Sequence, residues 1–154
     1  QKLIERRPEL PAYRLAEAEI ETAAGRYNTA LSLYTAARRK FPGYTPLLRT
    51  HAEVLLKAGR AGEARDLLRL ALKRQPDDPA LYRMLARAAG ESGAQVEAHQ
   101  ALAEAQYLNG NPDAAIEQLQ NAARLARDNF YLQSSIEARI GAIREEIALY
   151  RGNK

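Results

Sequence analysis

The chain of 154 residues contains no cysteine, no tryptophan and only two histidines. The absence of cysteine excludes disulfides, thiolate zinc sites and cysteine nucleophiles. His51 and His99 lie far apart in the sequence and form no HExxH motif, so we predict no metal or cofactor in this chain. No apolar run approaches the roughly 18 residues that a membrane helix needs, so we predict no membrane span.

Motifs for catalysis and for nucleic-acid binding are also missing. The 23 basic and 19 acidic residues are interleaved, and no cluster combines basic residues with stacking aromatics, so we predict no nucleic-acid partner. Ser134 and Ser135 lie outside any GxSxG motif, and the glycine turns lack the GK[ST] ending of phosphate-binding loops. We therefore expect no enzyme active site within this chain.

Glycine and alanine instead recur with a fixed period. Gly25, Gly59 and Gly93 are spaced by 34 residues. Small residues and prolines keep the same step, at Ala30, Ala64 and Ala98, at Ala37, Ala71 and Ala105, and at Pro42 and Pro76. Alanine lets two crossing helices approach closely, and glycine accepts the left-handed conformation that ends a helix. Each unit is therefore predicted to be a helix hairpin, and this pattern is typical of the tetratricopeptide repeat.

A second series, of prolines, marks helix starts at Pro11, Pro46, Pro79 and Pro112. Together the two series predict an all-α fold, a tetratricopeptide-repeat α-solenoid of about eight antiparallel helices in a right-handed superhelix. The predicted helices are 11–24, 27–40, 46–58, 61–74, 79–92, 95–109, 112–127 and 130–150. Residues 1–8 read as the tail of a preceding helix.

The period contains one half step, because Gly110 follows Gly93 by 17 residues while Pro112 continues the proline series. The helix 95–109 would then be shared, as the second helix of one unit and the first helix of the next. We predict a single domain, 1–154, with units at about 11–42, 45–76, 79–109 and, overlapping, 95–127, followed by a capping helix at 130–150.

The last helix carries one apolar stripe. Its members are Leu132, Ile136, Ile140, Ile143, Ile147 and Tyr150, and Gln133, Glu137, Arg144 and Glu145 fall on other faces. One buried and one polar face are what the end of a repeat array requires. Gly141 within this helix predicts a close contact or a bend.

In tetratricopeptide arrays the first helices line a concave groove, where a protein or peptide partner would bind. The repeat frame places seven residues toward it: Arg49, Glu53, Arg83, Arg87, Gln100, Glu104 and Tyr107. Arginines there would hold carboxylates, although ordinary solvated arginines fit equally well. Tyr34 and Tyr82 fall at core positions, whereas Tyr27, Tyr44 and Tyr107 are contact candidates.

The C-terminal segment "AHQALAEAQYLNGNPDAAIEQLQNAARLARDNFYLQSSIEARIGAIRE" resembles a particular family, the beta-barrel assembly-enhancing proteases (BepA, formerly YfgC). These are bacterial periplasmic zinc metalloproteases with a tetratricopeptide tail. Residues 95–145 carry the resemblance through Glu104, Leu108, Asn109, Gly110, the Ala-Ala-Ile-Glu-Gln-Leu helix, Phe130, Tyr131, Ser134 and "IEARI".

The resemblance implies a noncatalytic recognition or docking domain in the periplasm. Zinc would belong only to an upstream protease domain with its HExxH motif, which lies outside this chain. Because the chain begins at Gln1, we expect it to be a piece of a longer protein. Expected partners are outer-membrane beta-barrel proteins, the barrel assembly machinery and the protease domain itself. The alternative is a free-standing repeat scaffold that binds an unrelated peptide or protein.

Overall fold

The computed structural model describes residues 11–42 and 44–152. Eight helices and no strand occur in this part of the chain, which confirms the all-α prediction. They are α1 (Pro11–Ala23), α2 (Tyr27–Lys40), α3 (Thr45–Lys57), α4 (Ala61–Leu72), α5 (Pro79–Glu91), α6 (Gln95–Leu108), α7 (Pro112–Leu125) and α8 (Phe130–Gly152). The predicted helix at 1–8 lies outside the described residues.

The chain divides into two compact units, residues 1–74 and 75–154. In unit 1, α1 packs on α2, α2 on α3, and α3 on α4. In unit 2, α5 packs on α6, α6 on α7, and α7 on α8. Each unit is thus a succession of helices that pack against their sequence neighbours, as tetratricopeptide hairpins do. The single domain and the superhelical path stay predictions.

Four glycines end helices in the same way. Gly25, Gly59, Gly93 and Gly110 have φ between 73° and 83°, the left-handed region that only glycine adopts without strain. The amide after each glycine bonds to a carbonyl five residues earlier, as from Asn111 to Gln106 at 2.9 Å, which satisfies the last turn of the helix. The turn at Gly110 is therefore the same hairpin turn as the three that keep the 34-residue period.

Helix α6 is packed on two sides, by α5 and by α7. Ala103 belongs to a core formed with α7 and α8, and a Cβ added to Gly90 of α5 would lie 3.9 Å from that of Ala98. Ala101 and Ala105 are also almost completely buried. Small residues around the helix let α5 and α7 both approach closely. That this helix is shared by two repeat units stays a prediction.

Helix α8 buries most of its predicted stripe. Ile136, Ile140 and Ile143 are 1%, 7% and 1% exposed, and they pack with the buried alanines and Leu119 of α7. Tyr150 departs from the prediction, because its side chain is 75% exposed near the end of the helix. The polar faces lie outward as expected, with Glu137, Arg144 and Glu145 exposed.

The structure corrects one local prediction and adds one helix cap. A Cβ at Gly141 would meet nothing within 4 Å, so the expected close contact at this glycine is wrong. Asp78 caps α5, since its carboxylate accepts hydrogen bonds from the amides of Ala80 and Leu81 at 2.8 and 3.4 Å.

Candidate partner-binding site

The seven predicted groove residues fall on helices of both units. Arg49 and Glu53 lie on α3 of unit 1 and form a mostly exposed ion pair at 3.6 Å. In unit 2, Arg83 and Arg87 are exposed on α5, and Arg87 pairs with Glu91 at 2.7 Å. The other three predicted residues are half-buried on α6, namely Gln100, Glu104 and Tyr107. That these seven side chains form a partner-binding groove stays a prediction.

Arg139 of α8 brings two of the predicted residues together. Its Nε and Nη2 donate to the two carboxylate oxygens of Glu104, both at 2.8 Å. The Arg139 guanidinium also lies over the Tyr107 ring, with Cζ 4.6 Å from the ring centroid. Its hydrogen bonds to Glu104 raise the pKa of Arg139 above its usual value. Glu104 and Tyr107 therefore connect α6 to α8. Both side chains remain partly exposed.

Tyr107 has a second partner on α8, because its hydroxyl donates to Oε2 of Glu146. This hydrogen bond to a carboxylate, with a smaller contribution from burial, raises the pKa of the Tyr107 hydroxyl. The ring is thereby held at its hydroxyl by Glu146 and across its face by Arg139. A side chain ordered in this way offers contact area to a ligand with little further loss of rotamer freedom.

An open groove of about 690 Å³ begins at this tyrosine, between the turn that joins α6 to α7 and the C-terminal half of α8. We call it the Tyr107 groove. Its apolar lining is Leu108, Pro112, Ile143 and Ile147, its rim carries Tyr107 and Tyr150, and its carboxylates are Asp113 and Glu146. An apolar floor with aromatic side chains at the edge is the usual make-up of a surface that holds a protein segment.

Unit 1 has a smaller hollow, of about 400 Å³, around His51 of α3. The His51 ring stacks on Tyr34, with centroids 5.5 Å apart, and is 5% exposed. Its Nδ1 is buried and has no hydrogen-bond partner in the part of the chain that the structure describes. Burial, helped by the charges of Arg38 and Arg60, lowers the pKa of His51 to about 4. Tyr34 is thus a packing residue, as predicted, and His51 is one as well.

The remaining aromatic and histidine predictions divide between packing and contact. Tyr82 is half-buried, and burial raises the pKa of its hydroxyl. Tyr44 is 36% exposed beside the start of α3, and Tyr27 is half-buried at the start of α2. His99 is half-buried and bonds through Nδ1 to Oε1 of Gln118 at 2.8 Å, which fits a structural histidine.

The sequence analysis missed Arg139 and Glu146, the residues that order the Tyr107 groove. They are 35 and 39 residues away from their partners Glu104 and Tyr107, so no local pattern connects them. One feature of the sequence could have indicated these two residues. Arg139 and Glu146 lie on the same flank of the apolar stripe of α8, seven residues or two helical turns apart. A charged pair beside a buried stripe is expected to meet the neighbouring helix.

Within 11–42 and 44–152, no three histidine, aspartate or glutamate side chains are grouped so that they could hold a metal ion. None of the helices there is both long and apolar enough to cross a membrane.

Comparison with known proteins supports the repeat assignment. The tetratricopeptide repeat family matches residues 21–88. The solved structure described as "MamA RS-1 ArsTM double mutant" is similar with a TM-score of 0.65 at 15% identity, over 94% of this chain and 81% of that chain. No curated protein sequence matches.

A second solved structure, MamA from residue 41 to its end from Desulfovibrio magneticus RS-1, gives a TM-score of 0.64 at 15% identity, over 93% of this chain and 80% of the other. Identity this low shows the fold alone. The chain therefore has a tetratricopeptide-repeat fold, and its resemblance to the beta-barrel assembly-enhancing proteases stays a prediction.

Proposed function

We propose that this chain is a noncatalytic domain that binds a protein segment in the Tyr107 groove. The observation that carries the proposal is the groove itself. It is open, has a volume of about 690 Å³ and an apolar floor, and an ordered tyrosine forms its edge. The repeat fold supports it, because stacked helix hairpins provide extended surfaces for partners.

The more specific proposal is that the domain recognises substrates for, or docks onto, a periplasmic zinc metalloprotease that acts in outer-membrane protein assembly. It is supported by the resemblance of residues 95–145 to that family. Six residues of the resembling segment line the groove, namely Tyr107, Leu108, Gly110, Pro112, Asp113 and Ile143. Strands of outer-membrane barrels alternate apolar and polar side chains, so they could place apolar groups on this floor while the backbone stays solvated.

A second candidate is a free-standing repeat scaffold with an unrelated partner. The MamA structures are compatible with it, because the repeat fold of this chain extends over 81% and 80% of those chains. Under this alternative the Tyr107 groove still binds a protein segment, but barrel proteins are not its ligands.

Isothermal titration with peptides from outer-membrane barrel strands tests the proposal. We expect micromolar affinity, typical of a modest groove, and a loss of binding in Tyr150→Ala. Tyr131→Ala is the matched control, since Tyr131 is an equally exposed tyrosine, 85% against 75%, near the other end of the same helix. Silence with all barrel peptides would favour the scaffold alternative. Equal loss in both variants would contradict the groove assignment.

The complete gene gives an independent test of the protease reading. An upstream HExxH domain and a secretion signal in the same reading frame would support it. A complete gene that encodes neither would exclude it and leave the scaffold alternative.

A further inference from the structure

A second groove runs between α7 and α8, away from the Tyr107 groove. It consists of two adjoining hollows of about 590 and 390 Å³ that share Ala123 and Arg124. We call it the arginine groove, after the side chains that the argument uses: Ala123, Arg124 and Arg127 from α7, and Glu137, Ile140 and Arg144 from α8.

The two grooves lie on opposite flanks of the apolar stripe of α8. Glu137 and Arg144 are seven residues apart and therefore follow one flank, while Arg139 and Glu146 follow the other. A ligand in one groove does not occupy the other, so this surface is separate from the site of the proposed function.

Comparison with α3 of unit 1 shows what is unusual about this surface. The eighth residue of α3 is Ala52, which is 0% exposed, and α4 packs on that helix. The eighth residue of α8 is Glu137, which is exposed. A further repeat helix packed over this point of α8 would bury the Glu137 carboxylate, which costs free energy unless the charge is paired. Glu137 therefore disfavours a repeat helix, from this or a second copy of the chain, as the occupant.

The charge of the groove points to a different occupant. Three arginines and one glutamate line it, a net charge of 3 − 1 = +2. Arg124 donates to the side-chain oxygen of Asn121, and Arg127 donates to the carbonyl of Arg124 at 3.3 Å, so both have neutral partners. Arg144 is exposed and forms no ion pair with any residue in the described ranges. None of the three guanidinium groups forms an ion pair within the described ranges, and Glu137 is the one carboxylate among the residues that line the groove.

Apolar groups complete the surface. Ile140 is 7% exposed and Ala123 is half-buried, and both lie on the floor between the arginines. A ligand that fits this arrangement combines carboxylates with aliphatic side chains. Arginine suits such a ligand because its planar fork holds a carboxylate through two hydrogen bonds.

We propose that the arginine groove binds an acidic, amphipathic segment of a partner protein, with its carboxylates on Arg124, Arg127 and Arg144 and its aliphatic side chains over Ile140. The interaction is electrostatic at its edges and apolar along its floor. Its affinity therefore falls as salt rises, because exposed charge pairs are screened.

The probe is a synthetic helix-forming peptide in which glutamates and leucines repeat with helical spacing, and its counterpart with glutamine at every glutamate. The full chain is titrated with both at low and at raised salt. The test variant carries Arg124→Gln, Arg127→Gln and Arg144→Gln. The control variant carries Arg39→Gln, Lys73→Gln and Arg74→Gln, which removes the same charge from three exposed residues of unit 1.

We expect the acidic peptide to bind at least about tenfold more tightly than the glutamine peptide, and the test variant to lose about tenfold in affinity while the control variant keeps it. Circular dichroism and thermal melts of both variants verify that they are folded. Equal binding of the two peptides, or equal loss in the two variants, would overturn the proposal. Loss of barrel-peptide binding in Tyr150→Ala with acidic-peptide binding unchanged would show that the two sites are independent.

Discussion

Glu104 of α6 accepts two hydrogen bonds from Arg139 of α8, from Nε and Nη2, both at 2.8 Å. Both side chains are about a quarter to a third exposed, at 26% and 32%, so the pair is only partly screened by water. The same guanidinium lies over Tyr107. The first prediction concerns this pair, because it links α8 to α6, which itself packs on both α5 and α7.

A double-mutant cycle with Glu104→Gln and Arg139→Gln should give a coupling free energy of about 1–2 kcal/mol, since the pair is bidentate and half-buried. Arg87 and Glu91 form a matched control, because they are an exposed pair one helical turn apart, for which about 0.3–0.5 kcal/mol is typical. Urea unfolding of the four proteins in each cycle supplies the measurement. Equal coupling in both cycles would mean that Glu104 and Arg139 contribute no more than a surface pair.

The second prediction uses one substitution at two glycines of unit 2. Gly110→Ala should destabilise the chain by about 1 kcal/mol or more, because φ of +78° is a left-handed conformation that alanine adopts only with strain. Gly141→Ala should stabilise it by about 0.5–1 kcal/mol, since this glycine lies inside α8 and an added Cβ meets nothing within 4 Å. Thermal melts distinguish the two directions. A stabilising Gly110→Ala would be incompatible with the hairpin turn described at that position.

The third prediction tests the shared role of α6. Ala103 and Ala105 are each 1% exposed, so leucine at either position should cost about 1–3 kcal/mol through overpacking. Ala148→Leu is the control, because Ala148 is exposed on α8, and it should change stability little. If α6 packed on only one neighbour, one of the two leucines would be tolerated as well as the control.

These cases show which parts of the structure the sequence could predict. Helix positions and turn glycines follow local rules of φ and helix capping, so the 17-residue step to Gly110 correctly indicated another hairpin turn. The partner of Glu104 could not be predicted in this way. It depends on how α8 lies on α6 and α7, and Arg139 is 35 residues away in the sequence.

The exposure of aromatic residues could not be predicted from the local sequence pattern either. Tyr150 continues the spacing of the buried stripe, yet it is 75% exposed because no helix covers the end of α8 among the described residues. Periodicity predicts which face of a helix is apolar, whereas burial also requires a neighbouring element along the whole length of that face. Tyr150 therefore lies at the rim of the Tyr107 groove instead of in the core.

The last prediction concerns the stability of the folded chain at acid pH. His51 is 5% exposed and stacked on Tyr34, and burial lowers its pKa to about 4 from an ordinary value near 6.5. Between these two pH values the unfolded chain binds a proton that the folded chain does not, so the free energy of unfolding decreases as pH falls from 6.5 toward 4. The full difference corresponds to roughly 3 kcal/mol at most, at 1.36 kcal/mol for each pH unit. Below about pH 4 both states are protonated and this contribution stays constant.

Urea unfolding of the parent chain and of His51→Leu at a series of pH values between 7 and 4.5 gives the measurement. Leucine has no titratable group and suits a buried helix position. The variant should therefore lose the part of the pH dependence of stability that is due to His51. Carboxylates that are not coupled to His51, such as Glu21, whose pKa is lowered mainly by its hydrogen bond from Arg26, titrate in both proteins and cancel in the comparison. Parallel stability curves for the two proteins over this range would show that His51 is protonated equally easily in the folded and unfolded states, contrary to its enclosed position against Tyr34.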